Sequence, residues 1–312
     1  MISETILVTG APRSGTTPMG DVLRRLPGAV SLYEPMGLSG DRRITVRMPM
    51  PGEPDFSEAQ FEEFLSDMRR FRLKFRSQGR PIEQVGHVRA VATRVVGTRA
   101  PISHRVAKLT PGKKTLVWKD PLAVFCTRHG KSHGFRSVVT VRPPLASAAS
   151  YKRLLWLPKI RKIYGRYAAQ LGPVPEVASR LDELEANPVG ASALLWHLIH
   201  RFLLEVSAEE ATSVHFFAPQ VRDQSDREGY ESLFDWLGHP MPSTVARSLE
   251  ERAMMGDATA PIGRQVHDWN RTSQQANSYW SSVLSEDDVR LVSDINDGLW
   301  KSLQTSIRDH RL

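Results

Sequence analysis

The stretch Thr5-Ile6-Leu7-Val8-Thr9-Gly10-Ala11-Pro12-Arg13-Ser14-Gly15-Thr16-Thr17 decides how this chain folds. Ile6 to Val8 is a short apolar run that enters a loop of Gly, Pro and Ser from Thr9 to Gly15. A helical pattern follows, with Met19, Val22, Leu23 and Leu26 at helical spacing. Pro27-Gly28 ends it, and Ala29 to Tyr33 reads as a second short strand. Strand, loop, helix and strand in that order begin a parallel sheet, so the expected class is α/β with a P-loop-like central parallel sheet flanked by helices.

The loop itself has chemical meaning. Gly10-x4-Gly15 followed by Thr16-Thr17 is spaced like a P-loop, Gly-x4-Gly-Lys-[Ser/Thr]. Glycines let successive N–H groups curl inward toward a phosphate. The helix N-terminus adds its positive end, and Thr16 and Thr17 add hydroxyl donors. A nucleoside-triphosphate loop carries Lys directly after the second Gly; here Thr16 stands there, and the cation has moved into the loop as Arg13. That departure argues against a triphosphate–magnesium substrate and fits a donor with no γ-phosphate.

Outward from this unit, Pro35 to Asp55 is rich in Gly, Pro and Met and reads as a loop. Ser57-Glu58-Ala59-Gln60 fits a capping box for a helix bearing Phe61, Phe64, Leu65 and Met68. Thr115 to Trp118 is a third strand, ended by Lys119-Asp120-Pro121. Ser137 to Val141 is a fourth, ended by Arg142-Pro143-Pro144, with a helix starting near Pro144 and running through Tyr151 and Leu155. Ala191 to Val206 is a strongly apolar central helix, Val214 to Phe217 a fifth strand, and Tyr230 to Leu237 and Asp287 to Leu303 are amphipathic helices. No repeat interrupts the pattern. One doubly wound domain over 1–312 is the economical reading, with a basic, largely helical insertion around 56–114.

Bulk properties bound the function. The chain has 312 residues, 40% hydrophobic and 24% charged, ordinary for a globular protein and ample for a core. The lone cysteine, Cys126, follows the apolar stretch Leu122 to Phe125 and reads as a buried structural thiol. It allows neither an internal disulfide nor a cysteine-based zinc cluster. No basic leader and no run of ~18 apolar residues is present, so a cytoplasmic location without a transmembrane segment is expected. Lys and Arg number 42 against 34 Asp and Glu, a net charge of +8. From Arg69 to Lys114 there are 13 Lys and Arg and one acid, Glu83, a local balance of +12; a second basic run spans Lys152 to Arg166. Such concentration implies an anionic partner or a solvated basic face.

Arg142 and Ser150 form a second nucleotide signal. With a helix starting near Pro144, Ser150 lies two turns in, roughly 9 Å along the axis at 1.5 Å per residue. An Arg at a strand end and a Ser on the adjoining helix can clamp one phosphate, the Arg through a bidentate fork. Ser147, one turn earlier, can join them.

Taken together, Pro12-Arg13-Ser14-Gly15-Thr16-Thr17 and the Arg142 to Ser150 pair followed by Tyr151-Lys152 resemble the two cofactor motifs of the PAPS-dependent sulfotransferases, in their order and about their distance apart. The resemblance covers about a tenth of the chain. It implies PAPS as co-substrate without a metal. The 5′-phosphosulfate would be held by Arg13, Ser14, Gly15, Thr16 and Thr17, and the 3′-phosphate by Arg142 and Ser150. It also implies a basic-Gly loop over the adenine near the C-terminus, which Gly263-Arg264 followed by Trp269 matches loosely. Arg13 is then placed to stabilise the leaving phosphate, and Lys119, in the crevice at the strand ends, to hold the sulfuryl oxygens. Lys119-Asp120-Pro121 looks like a segment of bacterial and carbohydrate-modifying members.

The cytosolic small-molecule branch has a His base two residues after that Lys; here the position is Pro121, which takes no proton. His129 and His133 come too late to share the strand end. Glu34 is the candidate base, since it ends the second strand beside the loop, and some carbohydrate and tyrosyl-protein sulfotransferases similarly use a Glu soon after the loop. A bland role for Glu34 would be a pair with a basic neighbour such as Arg42. Asp120 is the runner-up, expected to be held outward between Lys119 and Pro121. The acceptor is a small molecule or glycan bearing a hydroxyl or amine, with an anionic one suggested by the basic stretch. Two other classes stay open: a nucleotide or small-molecule kinase, against which the missing Lys counts, and a basic nucleic-acid-binding protein, for which no recognition motif is present.

Overall fold

The computed structural model describes residues 2–76, 99–210, 212–254 and 277–309. Five strands, β1 (Glu4–Thr9), β2 (Ala29–Tyr33), β3 (Thr115–Lys119), β4 (Arg136–Thr140) and β5 (Val214–Phe217), form one sheet in the order β2-β3-β1-β4-β5. Every neighbouring pair is parallel, with Ile6 opposite Val117 on one side and Arg136 on the other. A parallel sheet covered on both faces needs strands that are apolar throughout. Ile6, Leu7 and Val8 meet that need, all fully buried.

Alternation sorts these side chains between the faces. Ile6, Val8, Val117 and Val138 pack with α1 (Thr16–Leu23) and with helices Asp226–Leu237 and Ser243–Met254. Leu7, Leu116 and Trp118 point the other way, onto Phe61, Phe64 and Met68 of α2 (Glu58–Arg69). The capping box expected at Ser57 and Gln60 is formed in both directions. Beyond it, α3 (Arg99–Leu109) packs against β2; residues 77–98 of the basic stretch lie outside the described residues.

On the β4–β5 side the core is built on a 22-residue helix, Pro188–Glu209, whose first turn is capped by Asn187 accepting from Val189 N and Gly190 N. It packs against α4 (Pro144–Leu154) and the last helix, Glu286–Asp309. By length and composition it could cross a membrane, but it is mostly buried inside the protein. Every residue from Val189 to His200 is buried, as a central position requires, and Arg201 and Glu205 reach the surface beyond them. The second basic run contains a further helix, Ile160–Leu171, which buries Ile160, Ile163 and Tyr167, turns Arg161 and Lys162 outward, and sends Arg166 inward to the buried Glu53.

Candidate functional site

The turn after β1 is shaped by three residues in the left-handed region: Gly10 (φ 141°), Arg13 (φ 79°) and Gly15 (φ 103°). At Gly10 only glycine fits, because a Cβ would stand 2.4 Å from the Thr140 carbonyl oxygen and 2.7 Å from Ser14 Oγ. Ser14 Oγ bonds Thr140 Oγ1 at 2.7 Å, which fastens the loop to β4. Gly15 is the N-cap of α1 and has no side chain to cap it, so the first N–H groups of that helix are not satisfied by a capping side chain. Such an end offers donors to an anion. Thr16 and Thr17 are buried in the first turn.

Arg13 links the loop to the second motif. Its Nε donates to Ser150 Oγ at 3.0 Å, and Arg142 Nη1 donates to the Arg13 carbonyl at 2.9 Å. Arg142 is itself tied to the core, its carbonyl accepting from Trp196 Nε1 at 2.9 Å. The Arg13 guanidinium stands 5.5 Å from the Trp156 ring centre, and that of Arg142 5.5 Å from Tyr279. Burial pulls the Arg13 guanidinium below its ordinary value. Two signals about 130 residues apart in sequence thus meet at one arginine. Arg264 lies outside the described residues.

On the other side of β1, Lys119 ends β3 with only 2% of its side chain exposed. Its Nζ donates to Glu34 Oε1 at 2.6 Å and stands 4.0 Å over the Tyr33 ring. Glu34 follows β2 directly at φ 50°, fixed by its N–H to the Lys119 carbonyl and by Gly37 N–H to its own carbonyl. The bland partner expected for Glu34, Arg42, is replaced by Lys119 across 85 residues of sequence. Tyr33 is the hub of this half: its hydroxyl bonds Thr17 Oγ1 at 3.0 Å and accepts from Arg99 Nη1 at 3.1 Å.

Asp120 corrects an expectation. It points inward and is fully buried, with Oδ2 accepting from Met36 N at 2.6 Å and Oδ1 from Leu122 N at 2.9 Å. Both oxygens hold backbone, and neither faces the crevice. Burial, reinforced by the Glu34 charge, pushes its carboxyl up to about 7. Cys126 is buried beside Met36, and burial pushes its thiol up. A depression of about 410 Å³ lined by Glu62, Arg69 and His133 lies elsewhere: Arg69 Nε reaches Thr5 Oγ1, at the start of β1 and away from the loop.

Sequence reasoning brought together Arg13, Ser14, Gly15, Thr16, Thr17, Arg142, Ser150, Lys119 and Glu34, and all of them line the carboxyl ends of β1 to β4. It overlooked Tyr33, Arg99, Trp156 and Tyr279. Of these only Tyr33, the residue before Glu34, carried a local signal.

No protein-family model matches the chain, and no curated protein matches it. Among solved structures, the sulfotransferase domain from the Synechococcus PCC 7002 olefin synthase overlays with 94% of each chain covered, at 16% identity and a TM-score of 0.38. An overlay that loose carries no argument, and the functional reading rests on this chain's own geometry.

Proposed function

We propose that this chain transfers a sulfuryl group from PAPS to a hydroxyl or amine of an acceptor. The observation that carries the reading is the Arg13 junction: one loop residue bonded through Nε to Ser150 and through its carbonyl to Arg142. The residues suit a nucleotide with two separate anionic groups. A loop with an uncapped helix end stands beside Arg13, and a second cation, Arg142, stands toward β4. No Lys follows Gly15, so the loop lacks the side chain with which a triphosphate enzyme holds its β- and γ-phosphates.

PAPS, when bound, supplies the sulfuryl group. Each residue then has a defined task. Glu34 takes the acceptor proton on Oε2 while Oε1 keeps its bond to Lys119. The acceptor oxygen forms its bond to sulfur as the bond from sulfur to the 5′-phosphate oxygen breaks, and the electron pair leaves with PAP. Arg13 offsets the charge that grows on that oxygen, and Lys119 offsets charge on the sulfuryl oxygens. A positioned base contributes about 10²–10⁴-fold.

The test is calorimetric titration of PAP in EDTA, with ATP–magnesium as the rival ligand, on wild type and Glu34→Gln. PAP should bind both proteins equally well and more tightly than ATP–magnesium. Turnover of any acceptor sulfated by the wild type should fall roughly a hundredfold in Glu34→Gln. Binding that requires magnesium would return the chain to the kinase class.

A further inference from the structure

The sheet order divides the crevice. The loop after β1 is flanked on one side by β4, with Arg142 and Ser150, and on the other by β3 and β2, with Lys119 and Glu34. On the proposed function, from which this inference starts, the first side takes the nucleotide and the second faces the acceptor. The basic stretch reaches the second side at one place. Ser103 Oγ accepts from Tyr33 N at 3.0 Å, pinning the start of α3 to the end of β2. Arg99, the first residue of α3, lays its guanidinium 5.2 Å from the Tyr33 ring centre and donates Nη1 to the hydroxyl.

The charges here are not equivalent. Lys119 is neutralised by Glu34. Arg99 is exposed, and no carboxylate among the described residues pairs with it. A guanidinium has five N–H donors in a planar fork suited to carboxylates, sulfates and phosphates. One of these is used on Tyr33, which fixes the orientation of the fork. Tyr33 in turn touches Thr17 and Lys119, so the cation is anchored within one side chain of the proposed reacting centre.

We propose that Arg99, seated on Tyr33, is an anion subsite for the acceptor, and that the enzyme's acceptors carry a carboxylate, sulfate or phosphate near the hydroxyl that is modified. The subsite would give the +12 stretch a specific task at one residue.

The experiment uses two probe pairs matched except for one anionic group: D-glucuronate with D-glucose, and 4-hydroxybenzoate with phenol. Each is titrated into the full chain saturated with PAP. The charged member of each pair should bind about tenfold more tightly to wild type, the scale of one hydrogen bond to a charged group. Arg99→Ala should bring that ratio near one, Arg99→Lys should keep part of it, and PAP affinity should be unchanged in both variants. Arg99 is exposed, so neither change disturbs the core. A wild type without charge preference, or Arg99→Ala retaining it, overturns the subsite. So does Arg99→Ala weakening PAP by the same factor, which would assign Arg99 to the donor. Failure of PAP to bind wild type overturns the donor reading as well, a distinct result from PAP binding without charge preference.

Discussion

Asp120 should make stability fall as pH rises through the weakly acidic range, against the usual trend for carboxylates. Its folded value of about 7 lies roughly three units above its ordinary 3.8, and each unit corresponds to ~1.36 kcal/mol. Below pH 3.8 both states hold the proton and the group has no effect. Between there and about 7 the unfolded chain releases its proton while the folded chain keeps it. Stability therefore drops by about 1.4 kcal/mol per pH unit, then levels off. From pH 5 to 7 the loss from this group is about 2 kcal/mol, with no screening discount because the side chain is fully buried. Asp120→Asn removes the titration but sets an NH₂ against one of the two backbone N–H donors, Met36 or Leu122, at a fixed cost of about 1–3 kcal/mol. The variant should be the less stable protein at pH 5, and the gap should close or reverse by pH 8. Urea unfolding of both proteins at pH 5, 6, 7 and 8 measures the difference, and other titrating groups largely cancel. A gap that stays constant across this range refutes the reasoning.

Gly20→Ala should destabilise the protein by about 1–3 kcal/mol, although Gly to Ala within a helix ordinarily stabilises by up to ~1 kcal/mol. The new Cβ would stand 2.8 Å from Lys119 Cγ, and Lys119 is held by Glu34 and Tyr33. A raised Tm would show that the Lys119 stem yields freely. Arg142→Ala should weaken PAP by about 1–3 kcal/mol, and a nucleotide lacking the 3′-phosphate by much less. Equal calorimetric losses for the two would remove Arg142 from the 3′-phosphate.

Much of the frame was legible because it is local. The apolar run Ile6 to Val8, the strand Ala29 to Tyr33, the capping box at Ser57 and the strand Val214 to Phe217 each carry their own signal within a few residues. The curled loop was legible for the same reason, since Gly10 and Gly15 announce backbone that other residues resist. The helix Ile160–Leu171 was hidden by its charges, although Ile160, Ile163 and Tyr167 have helical spacing. The pairing of Glu34 with Lys119 was not legible, because it depends on β2 and β3 lying side by side and not on any nearby residue. Asp120 was misread for a related reason. Its neighbours Lys119 and Pro121 suggest an outward turn, but the donors that draw it inward include Met36 N, brought there by the adjacent strand. Tyr33 and Arg99 meet through the packing of α3 on β2, another contact that no nearby residue signals.

The placement of β1 at the centre of the sheet also has a kinetic consequence. Its partners arrive late: Glu4 pairs with Thr115, and Ile6 with Arg136. At about 5–20 residues per second, on the order of ten seconds of synthesis separate β1 from the strand that first covers its edge. During that interval Ile6, Leu7 and Val8 have neither a neighbouring strand nor the Pro188–Glu209 helix to bury the core beside them. Pairings so distant in sequence also slow folding once the chain is complete, because loop closure must precede the contacts that reward it. The strand that organises the site is thus also an aggregation hazard for the nascent chain. Charged residues placed beside it act on that hazard: Glu4, which in the folded protein pairs with Arg136, stands at its start, and Arg13 lies just past its end.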